Sequence, residues 1–182
     1  GTGKEHIAPP LHDKSKRAGK PFVAVDCGSL TKELAPSAFF GHVKGAFTGA
    51  DSTKKGYFYE AEGGTLFLDE VGNLALETQQ MLLRAIQERR YRPIGDKSDR
   101  SFNVRIIAAT NEDLEAAVSE KRFRQDLFYR LHDFGITVPP LRDCQEDILP
   151  LAEFFREIAN KELECNVSGF SSEARKALLT HA

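Results

Sequence analysis

Short apolar runs recur along the chain, separated by stretches whose apolar residues return every three or four positions. Phe22-Val23-Ala24-Val25, Thr65-Leu66-Phe67-Leu68 and Val104-Arg105-Ile106-Ile107-Ala108 read as buried strands. Ile136-Thr137-Val138 is a shorter candidate, stopped by Pro139-Pro140. Helical spacing falls between and after these runs. From Ala75 to Glu88, Leu82 and Ile86 are four apart, and Leu76 and Leu83 seven apart. From Asp147 to Leu163, Ile148, Leu151, Phe155, Ile158 and Ala159 share one stripe. Pro150 is expected in the first turn there, where proline is tolerated. Ser171 or Ser172 is placed to cap a last helix carrying Ala174, Ala177 and Leu178.

Apolar strands that alternate with helices predict an α/β fold, a parallel sheet flanked by helices. After Pro139-Pro140 the pattern turns purely helical. The expected organisation is an α/β core over residues 1–141 and a helical lobe over residues 142–182. No internal repeat or low-complexity segment interrupts it.

Composition narrows the class. A chain of 182 residues, 41% hydrophobic and 29% charged, has room for one globular domain with a small appended lobe. No apolar run approaches the ~20 residues of a membrane helix. The opening Gly1-Thr2-Gly3-Lys4-Glu5 does not read as a signal peptide. A cytoplasmic setting without membrane contact is the expectation. The net charge of −2 gives no general reason for nucleic-acid binding. Cys27, Cys144 and Cys165 lack CxxC spacing and read as free thiols.

Candidate chemistry gathers at five places. Gly1-Thr2-Gly3-Lys4 matches the tail of a phosphate-binding loop, in which backbone N–H groups wrap phosphates and the lysine reaches the outer ones. Alone it reads equally well as a glycine turn. Glu5 stands where the general pattern has Ser or Thr for magnesium. Pro9-Pro10 implies that the helix after this loop is short or distorted.

In Leu66-Phe67-Leu68-Asp69-Glu70, two acids follow a buried strand at the sheet end where open α/β folds bind ligands. Asp69 can hold Mg²⁺ through water, and Glu70 can deprotonate the water that attacks a γ-phosphate. The plainer alternative is a solvated turn before Val71-Gly72. Lys4 upstream favours nucleotide, because both halves of a phosphate–magnesium site are then present.

At Ala108-Ala109-Thr110-Asn111 the polar pair can reach a γ-phosphate, or Asn111 can cap the helix that follows. Arg124 and Arg130, six apart, point in different directions on a helix. Either is a candidate finger for a neighbour's nucleotide, or both are ordinary surface charges. In Gly41 to Ala50, glycines bracket Phe47, which is either presented to another macromolecule or tucked into the core.

Together these segments resemble the central AAA+ domain of sigma-54-dependent transcriptional activators. Gly45-Ala46-Phe47-Thr48-Gly49-Ala50 matches that family's signature loop letter for letter. Gly3-Lys4-Glu5, Gly63 to Glu70, Ala109-Thr110-Asn111, Phe123 to Leu131, and Leu141-Arg142 with Glu146-Asp147-Ile148 follow in the family's order. The resemblance implies an AAA+ P-loop NTPase with a partial helical lid, using ATP and Mg²⁺. It implies that Gly1, Thr2, Gly3, Lys4 and Glu5 hold nucleotide, Asp69 serves the metal, Glu70 activates water, and Thr110 and Asn111 sense the γ-phosphate. Arg124 and Arg130 would act across subunits of a hexameric ring. Gly45 to Ala50 would grip sigma-54, with a second pore loop in Arg90 to Arg100. DNA would be reached only through a flanking domain, and a two-component arrangement is left open. A generic AAA+ remodeller would lack the Gly45–Ala50 loop, whereas a non-hydrolysing regulator would keep it.

Two departures stand out. Asp26 occupies the place where the family has a switch asparagine, and an aspartate facing Glu70 would repel its carboxylate. Pro9-Pro10 is the other. The resemblance further implies that the first strand of the sheet lies before Gly1 and that part of the lid lies after Ala182. The expectation is an unfilled slot in the sheet and weak ATP binding by these residues alone.

Overall fold

The computed structural model describes residues 3–180. Two compact units divide the chain between Gly135 and Ile136.

The first unit is built on a parallel sheet of three strands, β1 (Phe22–Asp26), β2 (Thr65–Asp69) and β5 (Arg105–Ala108), in the order β1-β2-β5. Asp26 pairs with Asp69 at one interface and Leu68 with Ala108 at the other, so all three strands end on the same side. β2 is central, and Thr65 to Leu68 are buried, as its unbroken apolar sequence requires. The outer edge of β5 carries no partner strand among the described residues.

Helices α1 (Ala8–Asp13), α2 (Ala35–Phe40), α3 (Tyr57–Glu60), α4 (Leu76–Glu88), α5 (Leu114–Ser119) and α6 (Gln125–Leu131) surround the sheet. A short hairpin, β3 (Arg90–Tyr91) with β4 (Arg100–Ser101), follows α4. The two prolines fall in the first turn of α1, where no backbone donor is lost, and a separate 3₁₀ turn holds Lys4–His6. Of the two readings of Pro9-Pro10, the short helix is the one observed.

α4 buries Thr78, Gln79, Leu82, Leu83, Ala85 and Ile86. Leu76, expected on that stripe, is the first helical residue and stays 47% exposed. Behind the sheet an aromatic cluster closes the core. The buried Phe58 ring lies 4.7 Å from Phe102, 5.5 Å from Phe40 and 5.7 Å from Tyr91.

The second unit holds α7 (Gln145–Glu162) and α8 (Ser172–Thr180). Three expectations are corrected here. Ile136-Thr137-Val138 is not a strand: it pairs with no strand among the described residues, and Pro139 has no N–H to donate. α7 begins before Asp147, so Pro150 lies inside the helix and Glu146 loses its amide partner four residues on. The stripe on α7 is also largely open: Ile148 is buried, but Leu151 and Phe155 are exposed. Of the two candidate caps, Ser171 is used; its hydroxyl accepts from Ala174 N at 3.2 Å.

No helix among the described residues is long and apolar enough to cross a membrane.

Candidate nucleotide site

The parallel sheet delivers Asp26, Asp69 and the Ala109-Thr110 turn to one edge. Two further backbone bonds extend the β2–β5 pairing past the strands: Ala109 N donates to Leu68 O at 2.8 Å, and Val71 N to Ala109 O at 3.0 Å. Lys4 reaches this edge. Its ammonium donates to the carbonyl of Thr110. Gly3, in the left-handed region at φ 71°, sets the turn from which Lys4 departs. Gly1 and Thr2 lie outside the described residues.

Glu70 follows β2 at φ 54°, ψ 42°, left-handed backbone that a side chain with a Cβ rarely adopts. Strain of this kind clusters at functional sites. Asp69 Oδ1 accepts from Glu70 N at 3.0 Å and steadies the turn. Gly72 then packs so tightly that an added Cβ would lie 2.5 Å from Glu112 Oε2 and 3.3 Å from Thr110 Oγ1. A glycine there lets the turn after Glu70 nest against the segment after Thr110.

The Asp26 carboxylate caps its own turn, accepting from Gly28 N at 2.8 Å. Next to it Cys27 is buried, and its thiol is pushed up to about 12 by burial first, then by Asp26, Asp69 and Glu70.

The helix-cap alternative for Asn111 is corrected. Asp113 caps α5, accepting from Glu115 N at 3.0 Å and Ala116 N at 3.1 Å, while Thr110 Oγ1 accepts from Glu112 N at 3.1 Å. Asn111 is exposed beside the Lys4 contact. Glu5 is exposed and lies 3.7 Å from His6.

No group of three or more metal-binding side chains occurs among the described residues.

The arginines lie apart from this cluster. Arg124 is the residue before α6 rather than part of it, and its guanidinium is gripped by Asp126 at 2.7 and 3.0 Å. Arg130 sits in the last turn of α6, exposed and without an ion pair among the described residues.

The Gly45–Ala50 loop forms a separate feature. Gly45 N donates to Ala50 O at 2.8 Å and Ala50 N to Phe47 O at 3.0 Å, closing a compact turn. Thr48 and Gly49 are exposed. The core-tucked alternative for Phe47 is corrected: the ring is 46% exposed, its face 5.0 Å from His42. Beneath it, Val43 N donates to Ile94 O at 3.1 Å, and an added Cβ on Gly95 would lie 2.7 Å from that of Ala46. The two loops picked out in the sequence therefore touch.

Gln79 escaped the sequence reading. Fully buried on α4, it bonds the turn after Glu70 and the backbone at Arg124. Its signal was its position on the apolar stripe, three before Leu82 and seven before Ile86.

A parallel sheet with a lysine-bearing loop, two acids after the central strand and a polar turn on the next strand defines a P-loop NTPase of the AAA+ class. The profile of the sigma-54 interaction domain matches residues 1–137, and the chain belongs to that family. It is 48% identical over its whole length to the transcriptional regulatory protein ZraR of Klebsiella oxytoca, covering 41% of that protein. It is 50% identical to the alginate biosynthesis regulator AlgB of Pseudomonas putida, over 100% of this chain and 40% of that one. Crystal structures of NtrX from Brucella abortus superpose over 100% of the chain. One has a TM-score of 0.92 at 35% identity and covers 41% of NtrX; another, in complex with ATP, has a TM-score of 0.89 at 34% identity and covers 39%. The chain thus spans about 40% of the length of these relatives.

Proposed function

We propose that this domain hydrolyses ATP and uses the cycle to move its Phe47-tipped loop against sigma-54 in the closed RNA polymerase complex. The reading rests on one observation: Lys4 bonds the Thr110 carbonyl at the sheet edge where Asp69 and Glu70 emerge. A lysine ammonium at the sheet edge where two acids also emerge is a seat for a polyanion and its cation.

In this reading Gly1 to Glu5 wrap the phosphates, and Lys4 exchanges the Thr110 carbonyl for phosphate oxygens. Asp69 holds Mg²⁺ through water, and the ion supplies charge neutralisation to the phosphates. Glu70 takes a proton from water as its oxygen bonds to the γ-phosphorus; the bond to the β–γ bridging oxygen breaks, leaving ADP and inorganic phosphate. Thr110 and Asn111 register the γ-phosphate. Arg124 and Arg130 neutralise the transition state on a neighbouring subunit of a hexameric ring. Glu70, left-handed while Lys4 holds the Thr110 carbonyl, is the two-position element that responds to the γ-phosphate. Residues 1–141 form the ATPase core and 142–182 part of its helical lid, and a flanking domain supplies DNA contact.

The test uses full-length protein with an ATP transition-state mimic. Wild type retains sigma-54 in a pull-down. Phe47→Ala loses that retention while hydrolysing ATP at the wild-type rate. Retention of sigma-54 by Phe47→Ala would remove the loop from the reading.

A further inference from the structure

Gln79 is a buried amide on an otherwise apolar helix face, fully enclosed on α4. Burying an amide is costly unless its groups are bonded. Here they are. Its Nε2 donates to Leu74 O at 2.7 Å and to Arg122 O at 3.0 Å, and its Oε1 accepts from Arg124 N at 2.8 Å. One side chain thereby joins two backbone segments.

Each segment ends at a residue with an assigned role. Leu74 closes the turn that Glu70 opens, through Asn73 N to Glu70 O at 3.0 Å and Leu74 N to Val71 O at 3.3 Å. Arg122 and Arg124 lead into α6, and the Arg124 side chain has its rotamer fixed by Asp126. Arg122 also pairs with Glu112, two residues past Thr110. The backbone carrying the finger is therefore tied both to the water-activating turn and to the sensor turn. The Gln79 amide, buried and bonded through both its oxygen and its nitrogen, holds the Leu74 and Arg122–Arg124 backbone together.

We infer that Gln79 is a positioning residue: it couples the Glu70 turn in one subunit to the aim of the Arg124 finger that the subunit offers its neighbour. This deepens the ATPase reading and rests on Arg124 acting between subunits. Gln79 bonds none of Lys4, Asp69 or Glu70 directly, and the expectation is that its loss leaves the subunit's own site able to turn over once a sound finger is supplied by the neighbouring subunit.

Subunit mixing in the full-length protein separates these effects. Gln79→Met, close in shape but unable to bond, is expected to keep nucleotide affinity and to lose kcat by about 10²-fold, the size of a misplacement near 1 Å. Glu70→Gln subunits are inactive but carry sound fingers. Mixed with Gln79→Met subunits, they supply those fingers to intact sites and restore turnover. The reference mixture is Arg124→Ala with Glu70→Gln, which is expected to show the same dependence on mixing ratio. Rescue in the reference alone would overturn the role of Gln79. Failure of the reference would overturn the finger reading and this inference with it. Should Gln79→Met melt below the assay temperature, Gln79→Glu retains the acceptor for Arg124 N and loses the donors, and the same mixing rule decides.

Discussion

At its first residue β2 is sealed. Thr65 is fully buried; His12 Nε2 donates to the Lys20 carbonyl at 3.1 Å, and its Nδ1 bonds the Thr65 hydroxyl at 2.9 Å. At its last residue the same strand opens. Asp69 and Glu70 are half-exposed, Glu70 is left-handed, and Asp26 and Cys27 crowd beside them. At the first end the His12 and Thr65 side chains are buried and bonded to each other. At the second end like charges gather and the backbone is strained, an arrangement that folding alone does not favour. Packing at one end of a parallel sheet holds the fold while the other end is left for ligand.

The comparison breaks if changes at the two ends have the same consequences. The largest effect is expected at the open end. Glu70→Gln should lower kcat by about 10²–10⁴-fold, the usual weight of a general base, while leaving the melting temperature unchanged. Steady-state ATPase assays beside thermal melts check both halves. Next is Phe58→Ala in the aromatic cluster, expected to cost about 3–5 kcal/mol in denaturant unfolding with nucleotide affinity unchanged in the folded fraction. Smaller again is His12→Ala, which leaves the Thr65 hydroxyl buried and unmatched at about 1–3 kcal/mol, with kcat unaltered. Loss of kcat in folded His12→Ala protein would blur the division between the two ends.

The smallest effect at neutral pH concerns Cys27. Its thiol is raised from 9.0 to about 12, chiefly by burial and then by the neighbouring carboxylates. A group raised on folding contributes stability that is fully present below its unfolded value and is lost as pH climbs through the folded one. Wild type should therefore lose stability between pH 9 and about 12, and Cys27→Ala should flatten that decline. At pH 8 a thiol reagent should label exposed Cys165 and leave Cys27 untouched in native protein.

What the sequence conveyed and what it withheld follow the same physics. β1, β2 and β5 were legible because strands buried in a parallel sheet are apolar throughout. Lys4, Asp69 and Glu70 could be picked out as candidates because phosphate chemistry calls for those residue types in that order. Ile136-Thr137-Val138 misled, since an apolar run becomes a strand only when another strand offers hydrogen bonds. The left-handed backbone of Glu70 carries no residue signature; glycine would have announced it, and glutamate does not. Gln79 and His12 were passed over because polar residues are read as surface unless a partner is in view, and their partners lie 43 and 53 residues away along the chain.

The central claim is that a triphosphate sits between Lys4 and the Asp69–Glu70 pair. Its most direct test is a crystal structure of the full-length protein with a non-hydrolysable ATP analogue and Mg²⁺. The account predicts that Lys4 Nζ leaves the Thr110 carbonyl for phosphate oxygens, with Asp69 facing the metal and Glu70 facing the γ-phosphate. Nucleotide bound elsewhere, with Lys4 still on Thr110, would contradict it.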